Sequence, residues 1–218
     1  MSDDLKLQQR VIDELEFDPR VNAAHIGVSV RQGVVSLNGH VENYVEKYAA
    51  ERAARRVRGV KAVAEEIEVR LPSDKKTGDD EIAARAVRML AWDVAVPLGG
   101  IQVKVEHGVV TLSGEVDWAY QRAEAEYDVR KLGGVKAVIN VIGVRPQINV
   151  SDVRAQIRAA FERSADLDAD DINVNVTDGK VVLSGNVRSW IEREEAARAA
   201  WSAPGVVAVD DQIQITRL

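Results

Sequence analysis

The densest basic cluster in the chain is Arg52, Arg55, Arg56, Arg58 and Lys61. Guanidinium forks and an ammonium group gathered in one place suit phosphate oxygens, which accept paired charge-assisted hydrogen bonds. A phospholipid headgroup carries that chemistry. The plainer alternative is a solvated helix end, favoured by the helix dipole. Glu51 and Arg55 would then form a surface ion pair of little weight. Trp92 and Trp118 are the second group. Their rings are apolar with a polar edge, which suits a membrane interface or a partner surface. They are read as exposed contact residues. Phe17 stands where Trp92 does, just after a helix. Tyr44 and Trp190 are read as staples that hold a helix start onto its core.

Two further clusters could bind ions. With a turn at Gln32-Gly33, His25 and His40 face each other across a hairpin. Two imidazoles so placed could share a transition metal. A closed site needs more ligands, so the pair is read as surface histidines and no metal is assigned. Later positions of the same kind hold Gly100 with Glu115 and Asp171 with Asn186. Asp166, Asp168, Asp170 and Asp171 begin like a calcium loop. Asp171 replaces its turn glycine and Thr177 its bidentate glutamate. A solvated acidic loop is the expectation.

Catalysis has little to work with. The 218 residues contain no cysteine, which excludes disulfides, thiol nucleophiles and thiolate metal sites. No G-x-S-x-G and no phosphate-cradling glycine loop occurs. No enzyme activity and no cofactor is expected. A net charge of −6 argues against bulk capture of nucleic acid, and no nucleic-acid partner is expected. No stretch approaches the roughly 20 apolar residues of a transmembrane helix. The acidic, amphipathic start lacks the pattern of a signal peptide. A cytoplasmic location is expected, or a periplasmic one if the natural N-terminus lies upstream.

These residues are positioned by a unit that occurs three times: GVVSLNGHV from Gly33, GVVTLSGEV from Gly108 and GKVVLSGNV from Gly179. Nine glycines recur at fixed spacing and are read as structural: Gly33, Gly39 and Gly59; Gly108, Gly114 and Gly134; Gly179, Gly185 and Gly205. Before each hairpin runs a helical stripe: Leu7, Val11, Leu15; Ile82, Ala86, Leu90; Val153, Ile157, Phe161. Ser2, Thr77 or Asp79, and Ser151 are the expected helix caps. Strict alternation, as in Ile26, Val28 and Val30, marks a strand with one buried face. After the return strand a second helix shows small residues: Ala50, Ala54, Val57 and their counterparts. The glycine at 59, 134 or 205 is expected to end it. A last strand carries Val63, Ile67 and Val69 or their equivalents.

Each unit therefore reads α-β-β-α-β. The fold class is α+β: three tandem αββαβ domains, each a three-stranded mixed sheet with two helices packed on one face. The expected boundaries are 1–71, a linker at 72–81, 82–145, a linker at 146–150, and 151–218.

The helical stripe, the G-x-V-x-L-x-G hairpin and the G-V-x-x-V-x-x-x-I-x-V last strand, repeated three times, resemble the BON domain. That family is named for bacterial osmotically inducible and nodulation proteins. The resemblance covers nearly the whole chain and implies the same αββαβ fold. It also implies a non-enzymatic, stress-associated protein that binds phospholipid or the membrane surface. Similar proteins are usually exported. One cytoplasmic relative joins a BON domain to a LysM domain and binds potassium, and no LysM-like segment is visible here. The alternatives are a cytoplasmic scaffold or chaperone-like module for other proteins, or an ion-responsive module.

Overall fold

The three repeated turns decide the local structure. Gln32-Gly33, His107-Gly108 and Asp178-Gly179 all have both φ angles positive, 53° and 82° in the first. Such a turn carries the twist that two antiparallel strands need. The register follows: Val28 faces Leu37 and Val30 faces Val35 in the first hairpin, as Val174 faces Leu183 and Val176 faces Val181 in the third.

The computed structural model describes residues 3–73, 77–145, 152–164, 167 and 169–216. The first repeat runs α1 (Asp3–Phe17), a 3-10 turn (Ala23–His25), β1 (Ile26–Arg31), β2 (Val34–Val41), α2 (Tyr44–Arg56) and β3 (Ala62–Val69). The second runs α3 (Asp79–Trp92), β4 (Ile101–Glu106), β5 (Val109–Val116), α4 (Ala119–Arg130), β6 (Ala137–Asn140) and β7 (Gly143–Val144). The third runs α5 (Val153–Arg163), β8 (Ile172–Thr177), β9 (Lys180–Val187), α6 (Trp190–Ser202) and β10 (Ala208–Ile215). The fold is the expected α+β class, with mixed sheets ordered β1-β2-β3, β4-β5-β6 and β10-β9-β8. The helical crossover makes β3 parallel to β2 and β10 parallel to β9. In the second repeat the last strand is interrupted, and β7 also pairs with β5.

The chain packs as two compact units, Met1–Trp92 with Val103–Leu112 and Glu126–Ile139, and Asp93–Gln102 with Ser113–Ala125 and Asn140–Leu218. In the first, α1 lies on β1, α2 on β3, and the helices touch each other. Leu7, Val11 and Leu15 are buried, and so are Val35, Leu37, Val41 and Ile67 of the sheet. Ala49, Ala50, Ala53 and Ala54 give α2 a flat face toward the sheet. In the second unit Phe161, Ile157, Val181, Leu183, Ala196, Ala200 and Ile213 build the equivalent core. Among the described residues no helix is long and apolar enough to cross a membrane.

Three local expectations are corrected. Gly59 does not end α2. The helix stops at Arg56, Val57 leaves with extended backbone angles, and Val57 is half-buried where the stripe called for a core residue. Gly59 instead makes the next turn at φ 102° and sits against the hairpin glycine. A Cβ on Gly33 would lie 3.3 Å from the Gly59 carbonyl oxygen, and on Gly179 only 2.6 Å from that of Gly205. The two glycines are spaced to pack together. Second, Asp79 does not cap α3 from outside; it is the first residue of that helix, and its carboxylate accepts from the amides of His107 and Gly108 at 2.7 and 2.9 Å. Asp4 does the same for Gln32 and Gly33. Third, α5 is capped by Asp152, whose carboxylate accepts from the Ala155 amide. Ser2 and Ser151 lie outside the described residues.

Candidate functional site

The basic cluster occupies the end of α2 and the turn into β3. Arg52, Arg56, Arg58 and Lys61 are exposed and Arg55 is half-buried. Arg55 and Arg56 are tied to carboxylates. Arg55 meets Glu51 at 2.5 Å, and Arg56 meets Glu14 at 2.9 Å and Asp18 at 3.3 Å. The Lys61 stem lies over Gly33. Asp18 is 4% exposed and is the hub of this end. It accepts from Arg20 Nε at 2.9 Å, Arg20 Nη2 at 2.7 Å and the Arg20 amide at 3.1 Å. These bonds, first those from the Arg20 side chain and then those from the Arg20 amide and Arg56, hold its carboxyl well below the usual carboxylate range. The residue just before Asp18 is Phe17, 82% exposed. An open aromatic ring therefore stands beside a buried acid that gathers two arginines.

A depressed folded pKa means the carboxylate stabilises the fold above the ordinary range, near pH 4. That contribution is lost as pH falls toward the folded value. Asp18→Ala is expected to cost about 2 kcal/mol at pH 7, as hydrogen bonds to charged groups do. The difference from wild type should shrink steadily below pH 4. Urea titrations at pH 7 and pH 2.5 measure it, and an equal difference at both would contradict the assignment.

The aromatic candidates separate. Trp92, at the end of α3, is 87% exposed, as expected. Trp118 was expected to be exposed but is half-buried. It occupies the capping position of α4, where the first and third repeats have Asn43 and Ser189. Gln121 Oε1 takes over the cap by accepting from the Asp117 and Trp118 amides at 3.0 Å. The indole lines an open cavity of about 820 Å³ in the second unit, with Tyr120, Arg122, Arg198 and Trp201. The Arg122 guanidinium lies 4.3 Å from the Trp201 ring centre. Tyr44 is not a simple staple: its phenolic oxygen accepts from the Val138 amide, and burial pushes its pKa up. Trp190 is half-buried at the first turn of α6, with Arg193 over its ring at 5.1 Å.

The two histidines come together as the register implied. Their rings stack, centroids 4.7 Å apart and planes at 24°. Of the acidic run, Asp170 and Asp171 are exposed; Asp166 and Asp168 lie outside the described residues. Among the described residues no group of three or more His, Cys, Asp or Glu is placed to hold a metal.

Two recurring polar devices were not anticipated. Glu46, 7% exposed, accepts from the Asn22 and Glu42 amides, and its own amide donates to Asn43. Ser189 and Glu192 repeat the arrangement. The signal was present as N/S-x-x-E, a capping box. The second device joins the second helix to the last strand. Lys47 pairs with Glu65 at 2.9 Å and Arg193 with Asp211 at 2.7 Å. The acid also accepts the amide two residues on, from Ile67 or Ile213. In the second repeat the acid is replaced by Asn140, which accepts from Ile142 and donates to the Arg122 carbonyl. With a neutral amide there, the Arg122 guanidinium turns to Trp201 and forms a wall of the cavity.

Comparison with known proteins agrees with this architecture. The BON domain family model matches residues 3–70, 78–146 and 149–217. The chain is similar to the osmotically-inducible protein Y of Escherichia coli (strain K12), 31% identical over 142 residues, which cover 63% of this chain and 71% of that protein. Among solved structures it is similar to CdsD, a structural protein of the type III secretion system of Chlamydia trachomatis. The identity is 17%, covering 98% of this chain and 93% of that one, at a TM-score of 0.28. It is also similar to the C-terminal domain of CdsD, 18% identical, covering 99% and 100% of the two chains, at the same TM-score of 0.28. With its repeated αββαβ units and a match in each of them, the chain belongs to the BON domain family and carries three BON domains in tandem.

Proposed function

We propose that this protein is a non-enzymatic, stress-associated factor that binds phospholipid headgroups at a membrane surface. Its basic contact surface is the end of α2 and the turn after it, where Arg52, Arg56, Arg58 and Lys61 are exposed. Arg55 and Arg56 are partly occupied by their carboxylates and contribute to the local positive field. Trp92 and Trp118 supply apolar contacts, the first from an open position and the second from the cavity wall. The observation that carries the reading is the exposed Phe17 beside the Asp18–Arg20–Arg56 cluster. An aromatic ring at a cationic edge is the composition that seats at a membrane interface. The osmotic induction in the name of the Escherichia coli relative supports the stress association.

Vesicle flotation tests it. The purified chain is expected to float with anionic vesicles at low salt and far less with neutral ones. The bound fraction should fall steeply as salt shortens the screening length to about 8 Å at physiological strength. No flotation with anionic vesicles at low salt would contradict the proposal. Val94 and Leu98, 102% and 81% exposed in the loop after α3, favour a second reading, a protein partner. Such binding would be apolar and would persist at high salt.

A further inference from the structure

We propose that His25 and His40 form an open two-imidazole site for a divalent transition metal of the copper, nickel or zinc class. The site rests first on the hairpin register. Ile26 faces Gly39, so the next pair outward is His25 with His40, and their rings stack at 4.7 Å. The backbone beneath them is held closely. Gly39 has φ 123°, and a Cβ there would lie 2.0 Å from the His25 carbonyl oxygen. That approach draws the 3-10 turn Ala23–His25 down onto β2. Binding therefore asks for side-chain torsions only.

The spacing fits chelation. Metal–nitrogen bonds of about 2.0–2.1 Å place the ring centres of two adjacent imidazole ligands about 4–5 Å apart. The rings must turn from face-to-face stacking until one nitrogen of each points at a shared position. Among the described residues no third His, Cys, Asp or Glu is placed to join them, so the two imidazoles are the protein's whole donor set. Water fills the remaining positions, which makes this an open site and not a folding staple.

The donor set selects the metal. Imidazole suits copper, nickel and zinc, whereas magnesium and calcium prefer oxygen. The site is built once, because the second and third repeats hold Gly100 with Glu115 and Asp171 with Asn186 at the same places.

Calorimetric titration of the full chain with nickel, copper and zinc chlorides tests this. One equivalent should bind, unaffected by excess magnesium. His25→Gln and His40→Gln should each lower the affinity at least tenfold, and the double variant should lose little more than either. His107→Gln should bind as wild type does. Thermal melts of each variant verify that it is folded. Failure to take up one equivalent, displacement by magnesium, or unchanged affinity in folded His25→Gln and His40→Gln would overturn the proposal.

Discussion

Gly185→Ala is expected to destabilise the third BON domain strongly within the intact chain. Gly185 holds φ 129°, and an added Cβ would stand 2.0 Å from the Asp171 carbonyl oxygen. That oxygen belongs to backbone, so it cannot swing aside as a side-chain end would. The same carbonyl accepts from the Asn186 amide at 3.2 Å, closing the base of the hairpin. Relief of the clash must open that base and release Ile172, 2% exposed, from the core. Backbone strain alone costs of order 1–3 kcal/mol. With the lost bond and the displaced core the total should exceed about 3 kcal/mol. Hydrogen exchange read peptide by peptide checks it. Protection across β8, β9 and β10 should collapse while that across β1, β2 and β3 remains. Unchanged protection in the third domain would contradict the role given to this glycine.

Phe161→Ala should come close in size. Phe161 is fully buried, touching the core that also holds Ile157, Leu183 and Ile213. Leu15 and Leu90 stand at the equivalent point of the other two stripes, so the third core is built around a larger side chain. Truncation leaves a cavity and costs about 3–5 kcal/mol. A domain of this size has only roughly 4–10 kcal/mol in hand. The melting transition of the third domain should fall by more than about 10 °C. Leu15→Ala, in the same position of the first domain, should leave that transition where it is. A third-domain midpoint within about 3 °C of wild type would show that the cavity collapses or that this side chain is not central.

What could be read beforehand followed from periodicity. The two-residue turns, the pairing of Val28 with Leu37, the stacked histidines and the helical stripe all depend on neighbours at fixed offsets, which a single chain displays. The polar connections do not. Arg56 looks like one more surface cation until Glu14 and Asp18, far earlier in the chain, are brought to it. Glu65 looks like a charge in an acidic strand until Lys47 meets it from α2. Trp118 sits where its relatives have a capping side chain, and its half-buried state depends on Gln121 taking over the cap. The end of α2 is hidden in the sequence for a related reason. Gly59 has the conformation of a helix terminator, but its place is set by contact with Gly33, not by the helix.

The contact surface proposed for lipid is most directly tested by reversing its exposed charges. Arg52, Arg58 and Lys61 are the substitutions of choice, because they are exposed, while Arg55 is half-buried and Arg56 holds the buried Asp18. The measurement is the equilibrium affinity of Arg52→Glu/Arg58→Glu/Lys61→Glu for anionic vesicles, beside wild type, with a melting curve to show that the variant is folded. Each basic residue near an anionic surface contributes on the order of 1 kcal/mol, so the triple reversal should weaken binding by roughly a hundredfold or more. A folded variant that binds anionic vesicles as wild type does would contradict the account.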